Sequence, residues 1–396
     1  MSKQQKESFD DPIFWTYAPE SSLDIDVAAM REFFRAHGIG IYRTQCGGLC
    51  HICMDGHTVS VVSTDWIRDY IINYAEKNCP HGVLNKLYKN MSEVLCMWQL
   101  AHLCQLKPVF WKPEKRIQYF YFSGTCWQVT PDSIDEIAYP DLGHSVWDDH
   151  IIKHTPQMRD RMIDIKLEEG KCKLSFTEDG RHCHFLQYLK NASNFGSDDW
   201  NAFSLLSKLC AIGYLMMDYK DVNQPAAVIA YGESGSGKSL LGELLRRVRP
   251  TVFIPLRKSP MEDVFIWNDI KESTRLVILD NIRRHFDFEE LFPVISSDWK
   301  IYKKGGDVET RLFRSSPKLY ITSSWQIEGE GESFRVRQWK LWFSSHYNHY
   351  HKPVDDYGTL FFSEWDEEQW NLTYTMLARC VQIYMMYGKI EEGGKS

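Results

Sequence analysis

The sequence predicts an α/β protein with a phosphate-loop core on a parallel sheet. A smaller α+β and helical N-terminal region precedes the core, and a helical C-terminal segment follows it. Three stretches carry this reading: AAVIAYGESGSGKS at 226–239, RLVILDN at 275–281 and KLYITSS at 318–324. Each is a short apolar run of the kind that makes a strand buried on both faces. Each also ends in polar residues, and parallel strands with polar C-terminal ends place a site at the carboxyl edge of an open sheet.

The first stretch organises the rest. Ala226–Tyr231 reads as the strand, and Lys238-Ser239 opens an amphipathic helix, LLGELLRRV. Between them Gly232, Glu233, Ser234, Gly235, Ser236 and Gly237 complete the pattern G-x-x-x-x-G-K-S, in the strand–loop–helix setting that a phosphate loop requires. The glycines let successive backbone N–H groups turn inward around an anion, and the helix N-terminus adds positive potential. Lys238 is expected on the β- and γ-phosphates of ATP and Ser239 on Mg²⁺. In the second stretch Asp280 follows four apolar residues, and is expected to hold Mg²⁺ and orient the attacking water. The third stretch places a polar residue, read as Ser324, where it can sense the γ-phosphate.

Length and composition fit this plan. A chain of 396 residues leads to an expectation of about two or three domains. The spacing of patterns divides it into a small α+β unit over 1–80, a helical and aromatic-strand region over 81–195, the core over 196–345 and a helical segment over 346–396. No run of about 18 apolar residues is present, so no membrane span is expected. The start, MSKQQKESFDDP, lacks the apolar stretch of a signal peptide. Eleven scattered cysteines then fit reduced thiols in a cytoplasm. A net charge of −7 gives no global pull toward nucleic acid, so any such contact must come from a local basic patch.

Along the chain, Leu23–Ala36 has apolar positions at helical spacing. Short runs at Ile39–Arg43, Leu49–Met54 and Thr58–Ser63 read as strands separated by Gly47-Gly48 and Asp55-Gly56 turns. Asp65–Glu76 reads as a helix capped by Thr64 or Asp65. Cys46, Cys50 and Cys53 tempt a zinc assignment, but a second pair of ligands is missing and Cys50 and Cys53 fall on opposite faces of a strand. Thiols packed in a small sheet are expected instead. Residues 82–107 suggest one or two helices, 109–130 aromatic strands, 132–154 a short helix and loop, and 155–183 a charged connector or hairpin. Ser197–Lys220 is a long helical stretch with an acidic start and a basic end, matching the helix dipole, and the domain boundary is placed near residue 195.

Two further stretches complete the core. WKIYKKGGDVETRLFRSSPK, 299–318, carries Lys300, Lys303, Lys304, Arg311, Arg314 and Lys318 against Asp307 and Glu309, with a Gly305-Gly306 turn. It is the best candidate for contact with a nucleic-acid backbone. In SFRVRQWKLWF, 333–343, Arg335 and Arg337 fall on one side of an expected strand, and either is a candidate arginine finger for a neighbouring subunit.

In this order, the phosphate loop, the acid-ended strand, the basic Gly hairpin, the SPK-apolar-TS strand and S-x-x-x-R resemble the superfamily 3 helicases, specifically the phage, plasmid and poxvirus-type primase–helicase group. The stretch YNHYHKPVDDYGTLFFSEWDEEQWN is similar to the tail of such proteins from phages and mobile elements of gut bacteria. The resemblance is strong over 200–390 and faint over 20–195, and no polymerase-type primase module is apparent. It implies an AAA+-like core that assembles as a homo-oligomeric ring, usually a hexamer, with ATP between subunits. It also implies a hairpin that grips single-stranded DNA through Lys303, Lys304 and Arg311, the finger at Arg337, other replication proteins as partners, and a bacterial cytoplasm as the setting.

Two positions depart from the family pattern. The second of two adjacent acids is here Asn281, and the sensor strand, commonly ended by Asn, ends in Ser324. An amide cannot accept the attacking water's proton as a carboxylate does. Glu233, Asp287 or Glu289 would then supply the charge, or the chain is a nucleotide-gated DNA-binding ring with weak or no hydrolysis, a loader or regulator. A signalling or defence NTPase without DNA contact is the third expectation.

Overall fold

The computed structural model describes residues 12–17, 23–44, 47–168, 170–194, 199–257, 261–306 and 308–392. The chain forms two compact units, Met1–Trp111 with Gly143–Asp148, and Lys112–Leu142 with Asp149–Ser396. Among the described residues no helix is long and apolar enough to cross a membrane.

The first unit pairs Trp15–Tyr17 with Leu23–Ile25, then runs into a helix, Val27–Ala36. This helix starts later than the apolar spacing suggested, because Asp26 caps it by accepting the N–H groups of Ala28 and Ala29. A sheet of Ile39–Arg43, Leu49–Asp55, Thr58–Val61 and Val146–Trp147 follows. The next helix, Thr64–Asn78, takes its cap from Ser63, one residue before the expected pair. Cys46 lies outside the described residues. Cys50 packs with Tyr42 and Met54 on one face of its strand, while Cys53 packs with the helical core on the other. They therefore sit as thiols in a small sheet.

The second unit is built on five parallel strands: β1 (Ala227–Tyr231), β2 (Thr251–Pro255), β3 (Leu276–Asp280), β4 (Lys318–Ser323) and β5 (Gln338–Trp342). Their order across the sheet is β2-β3-β4-β1-β5. Alternate residues of β1 feed two cores. Val228 and Ala230 face one, and Ala227, Ile229 and Tyr231 face the other, which explains why the strand reads as one continuous apolar run. The chain therefore has a mixed α/β fold with a fully parallel sheet, consistent with a nucleotide-binding architecture.

The first of these cores joins α1 (Asp199–Met216) to α3 (Glu367–Tyr387). Their closest approach needs a glycine, since a Cβ on Gly213 would lie 2.0 Å from the Cys380 carbonyl oxygen. Gly213→Ala must push two backbones apart. Overpacking of this kind costs about 1–3 kcal/mol or more, and a lowered urea midpoint at unchanged m-value would report it.

The aromatic strands of the earlier region belong to this same unit. Gln118–Phe122, Cys126–Val129, Ile134–Ile137 and Ile151–Ile152 form a sheet, with Ile134–Ile137 where a short helix was expected. Phe122 sets its ring 5.2 Å from Tyr374 of α3. The charged stretch becomes a hairpin, Ile163–Glu168 with Lys171–Phe176, as one of its two readings held. The compact unit thus takes in 112–142 and 149–194, where a division near 195 was expected. Phe120, Phe122 and Trp127 are core, in the same cluster as the buried face of α3.

At the opposite end of the sheet from the polar strand ends lies a buried charge cluster. Asp218 Oδ1 is 2.5 Å from Arg249 and 3.6 Å from Arg275. Lys318 donates to the carbonyls of Tyr214 and Met217, and Lys220 donates to Ser316 Oγ. With Arg249 on the Met216 carbonyl, these cations saturate carbonyls at the end of α1, and Lys220 and Arg275 do the same just before β4 and β3.

Candidate nucleotide site

The loop 232–237 leaves the carboxyl end of β1 and enters α2 (Lys238–Val248). Gly235 and Gly237 have φ of 87° and 92°, a left-handed backbone that side chains disfavour. Gly237 is also crowded from outside, since a Cβ there would meet the Tyr188 hydroxyl at 2.4 Å. That hydroxyl donates to the Gly237 carbonyl, and the Tyr320 hydroxyl donates to the Lys238 carbonyl, so two phenols fix the start of α2. Ser236 is buried, whereas Glu233 and Ser234 face solvent.

Lys238 folds back over its own loop. Its Nζ donates to the Gly232 and Glu233 carbonyls, both at 2.7 Å, and lies 3.3 Å from Ser236 Oγ. Burial lowers its pKa to about 8, against the opposing pull of Asp280 and Glu233. An ammonium held on the carbonyls of its own glycine loop is poised to exchange them for anionic oxygens.

Asp280 ends β3 and receives two hydroxyls on one oxygen. Thr322 Oγ1 donates to Oδ1 at 2.7 Å, and Ser239 Oγ lies 3.3 Å from the same atom. Among the described residues no hydrogen bond reaches Oδ2. A serine hydroxyl beside a carboxylate is an all-oxygen donor set of the kind that suits Mg²⁺ with retained waters. The residues present therefore fit Mg²⁺ beside a phosphate.

Several expected residues stand elsewhere. The β4 residue that reaches Asp280 is Thr322, not Ser324. Tyr320 and Thr322 share a face by the two-residue strand period, but the strand ends at Ser323, whose Oγ closes a local turn with Trp325 before Ser324 can continue that face. Asn281 adopts φ 58°, a left-handed conformation that Asn tolerates better than most residues, and its N–H donates to Thr322 Oγ1. Of the three alternative acids, Asp287 caps the turn at 288–291 and Glu289 is exposed. Glu233 is the one whose charge acts on Lys238.

Arg335 and Arg337 are not on a strand. Glu332–Val336 forms a short helix with Arg337 at its C-terminal end, and β5 begins one residue later. Arg337 lies over the Phe292 ring and donates to Ser296 Oγ and the Ser333 carbonyl. Its carbonyl pairs with Ala227 at the start of β1, about 15 Å along the strand from the loop at roughly 3.3 Å per residue.

The basic stretch does form a hairpin, Trp299–Tyr302 with Val308–Arg311. Two of its three expected DNA contacts turn inward. Lys303 Nζ donates to the carbonyls of Asn268 and Ile270. Arg311 is buried, donating to the Lys271 carbonyl and pairing with Glu272 at 3.3 Å. Lys304 is exposed, as are Lys300, Arg314 and the Tyr302 ring.

A wall of the site that sequence reasoning missed comes from far downstream. Asn348, His349, Lys352 and Pro353 line, with Lys238, Ser239 and Asp280, an open cleft of about 490 Å³. A Cβ on Gly235 would lie 3.3–3.4 Å from the Asn348–His349 backbone. No periodicity marks this strap, residues 346–356, and neither it nor Tyr188 was legible as part of the site.

No protein-family model matches the chain, and no curated protein does. Among solved structures, an A-form apo structure of the NrS-1 C-terminal region is 14% identical with a TM-score of 0.32, covering 73% of this chain and 71% of that one. A second structure of that region is 12% identical with a TM-score of 0.29, covering 70% and 68%. At these values neither likeness carries an argument about the site.

Proposed function

We propose that the chain is a P-loop ATPase acting as a superfamily 3-like helicase, which translocates on single-stranded DNA during replication of a phage or mobile element. The observation that supports this most is the convergence of Ser239, Thr322 and Asp280 beneath a glycine loop that carries Lys238. On this reading the loop N–H groups and Lys238 hold the phosphates of ATP. Ser239 and Asp280 hold Mg²⁺, which would neutralise charge developing on the transferred phosphoryl oxygens. Thr322 takes the sensing role expected of Ser324, since it bridges Asp280 to the Asn281 backbone.

Arg337 sits too far along the sheet to serve its own loop, so a finger role requires a neighbouring copy, as in a ring, in a bacterial cytoplasm. For DNA, the exposed hairpin side chains Lys300, Tyr302 and Lys304 replace the expected trio: two cations for phosphates and a ring on which a base can stack. Lys303 and Arg311 hold the hairpin's shape. Replacing both Lys300 and Lys304 by Ala should weaken single-stranded DNA binding and flatten its salt dependence. Unchanged activity in that variant would favour a nucleotide switch without DNA contact.

A second reading is kept by Asn281. With an amide beside Asp280, the site lacks the adjacent carboxylate, which supports a nucleotide-gated ring, a loader or regulator, with slow hydrolysis. ATP turnover with and without single-stranded DNA, for the wild type and Asn281→Asp, separates the two. Asp tolerates the left-handed backbone there, and a positioned base contributes about 10²–10⁴-fold. DNA-stimulated turnover in the wild type is the expected result, with a rise of about tenfold or more in Asn281→Asp. Negligible turnover restored by Asn281→Asp would mean a switch, and turnover indifferent to DNA would sink the helicase reading.

A further inference from the structure

The strap that walls the cleft carries a cluster that the nucleotide reading does not use. His346 Nε2 lies 3.3 Å from Asp356 Oδ2, and His351 Nε2 lies 2.9 Å from Asp356 Oδ1. The three candidate ligand atoms all fall within 4.8 Å of one another. Two ligands on one tetrahedral metal, each about 2.0–2.1 Å from it, stand about 3.3 Å apart. The cluster is therefore already close to the spacing that a single ion imposes.

The residues around it hold that geometry. Asn348 Oδ1 accepts the N–H groups of Tyr350 and His351, and the Asn348 N–H donates to the His351 carbonyl. This closed turn brings His346 and His351 to the same side. Asp356 is oriented by Tyr347, whose hydroxyl donates to Oδ2 at 2.9 Å, and by Asn191 Nδ2 at 3.2 Å. Hydroxyl and amide donors behind a ligating carboxylate are the outer shell that metal sites use to fix their ligands.

We propose that His346, His351 and Asp356 bind one divalent transition metal ion of the Zn²⁺ class, and that the ion staples the 346–356 strap. Each imidazole offers its Nε2 lone pair once the ring proton resides on Nδ1. Two imidazoles and one carboxylate suit Zn²⁺ and its first-row neighbours, whereas Mg²⁺ prefers oxygen ligands and retained water. The side chains are partly exposed, which leaves a fourth position for water. The site itself stands independently of what the cleft binds.

The test uses the full chain, stripped with a chelator and titrated at neutral pH without nucleotide, first with ZnCl₂ by calorimetry and then with CoCl₂ by absorption. The expected result is one equivalent, micromolar or tighter, that raises the melting temperature. Its Co²⁺ spectrum should show ligand-field bands without thiolate charge transfer. His351→Gln should weaken binding at least tenfold, and Cys50→Ser should leave it unchanged. Millimolar or absent binding, a thiolate spectrum, or retention in His351→Gln would each overturn the assignment. Should His351→Gln fold poorly, the wild-type Co²⁺ spectrum decides alone. MgCl₂ should not compete, and competition at equal concentration would count against the transition-metal class.

Discussion

Lys238→Ala should reduce ATP turnover by about 100-fold or more and remove most of the affinity for nucleotide. The lysine makes charge-assisted bonds, and losing one donor aimed at developing charge costs about 2.7–4 kcal/mol at an active site. The folded state should tolerate the change. Lys238 is buried but lines the cleft and donates only to oxygens of its own loop, so water entering the cleft can take up the Gly232 and Glu233 carbonyls that it leaves. Normal circular dichroism with lost binding of a fluorescent ATP analogue is thus the expected pair of results. The pH dependence has a definite sign. A pKa brought down to about 8 by burial leaves part of the lysine neutral as pH rises past that value. Affinity for an anionic phosphate should therefore be fuller at pH 7 than at pH 9, and this slope should vanish in Lys238→Met. Unchanged turnover in Lys238→Ala would mean that the loop serves something other than phosphate.

What could be read from the chain tracks how each element meets solvent. β1, β3 and β4 are buried on both faces, so their apolar runs stand out. β2 is a partly exposed edge strand with Phe253 open to solvent, and TVFIP offered no comparable run. The ends of strands were harder. Whether Thr322 or Ser324 faces Asp280 depends on where the chain leaves the sheet, and one serine hydroxyl decides that. Charge was misleading for a physical reason. Lys303, Arg311 and Lys318 look solvent-bound in a one-dimensional count, yet each satisfies buried carbonyls that secondary structure leaves unpaired. β5 starts only at Gln338, beyond both Arg335 and Arg337 of the expected strand, because 332–336 closes into a helical turn. The strap and Tyr188 are contacts of tertiary folding alone, since their sequence distance from the loop hides them.

Asp218→Asn should destabilise the second unit by about 3–5 kcal/mol, the range for removing one partner of a buried ion pair. Asp218 is the carboxylate at the centre of the buried charge cluster at the strand starts; it pairs with Arg249 and Arg275, and the side chains of Asp218 and Arg249 are only 8% and 6% exposed. Burial works against its charge, but Arg249, Arg275 and His150 outweigh it and hold its carboxyl well below the usual range. A depressed acid adds stability that is complete above its unfolded pKa and is lost as pH falls. His150 adds to the same trend, since burial lowers its pKa to about 3 and its neutral ring accepts no charge without cost. From about pH 6.5 down toward 3 the unfolded chain binds more protons at His150 than the folded one, so stability must fall across that window. Urea midpoints measured from pH 7.5 to 4.5 should show this decline in the wild type, and His150→Phe should flatten its upper part. The double variant Asp218→Asn with Arg249→Met should recover much of the loss, because it removes the uncompensated guanidinium as well as the carboxylate. An additive loss in the double variant would show that the two groups act on separate contacts. The cluster lies at the strand starts and the cleft at the strand ends, so the folded fraction of Asp218→Asn should bind nucleotide as the wild type does. A fall in affinity as large as the fall in stability would instead mean that the sheet transmits strain between its two ends.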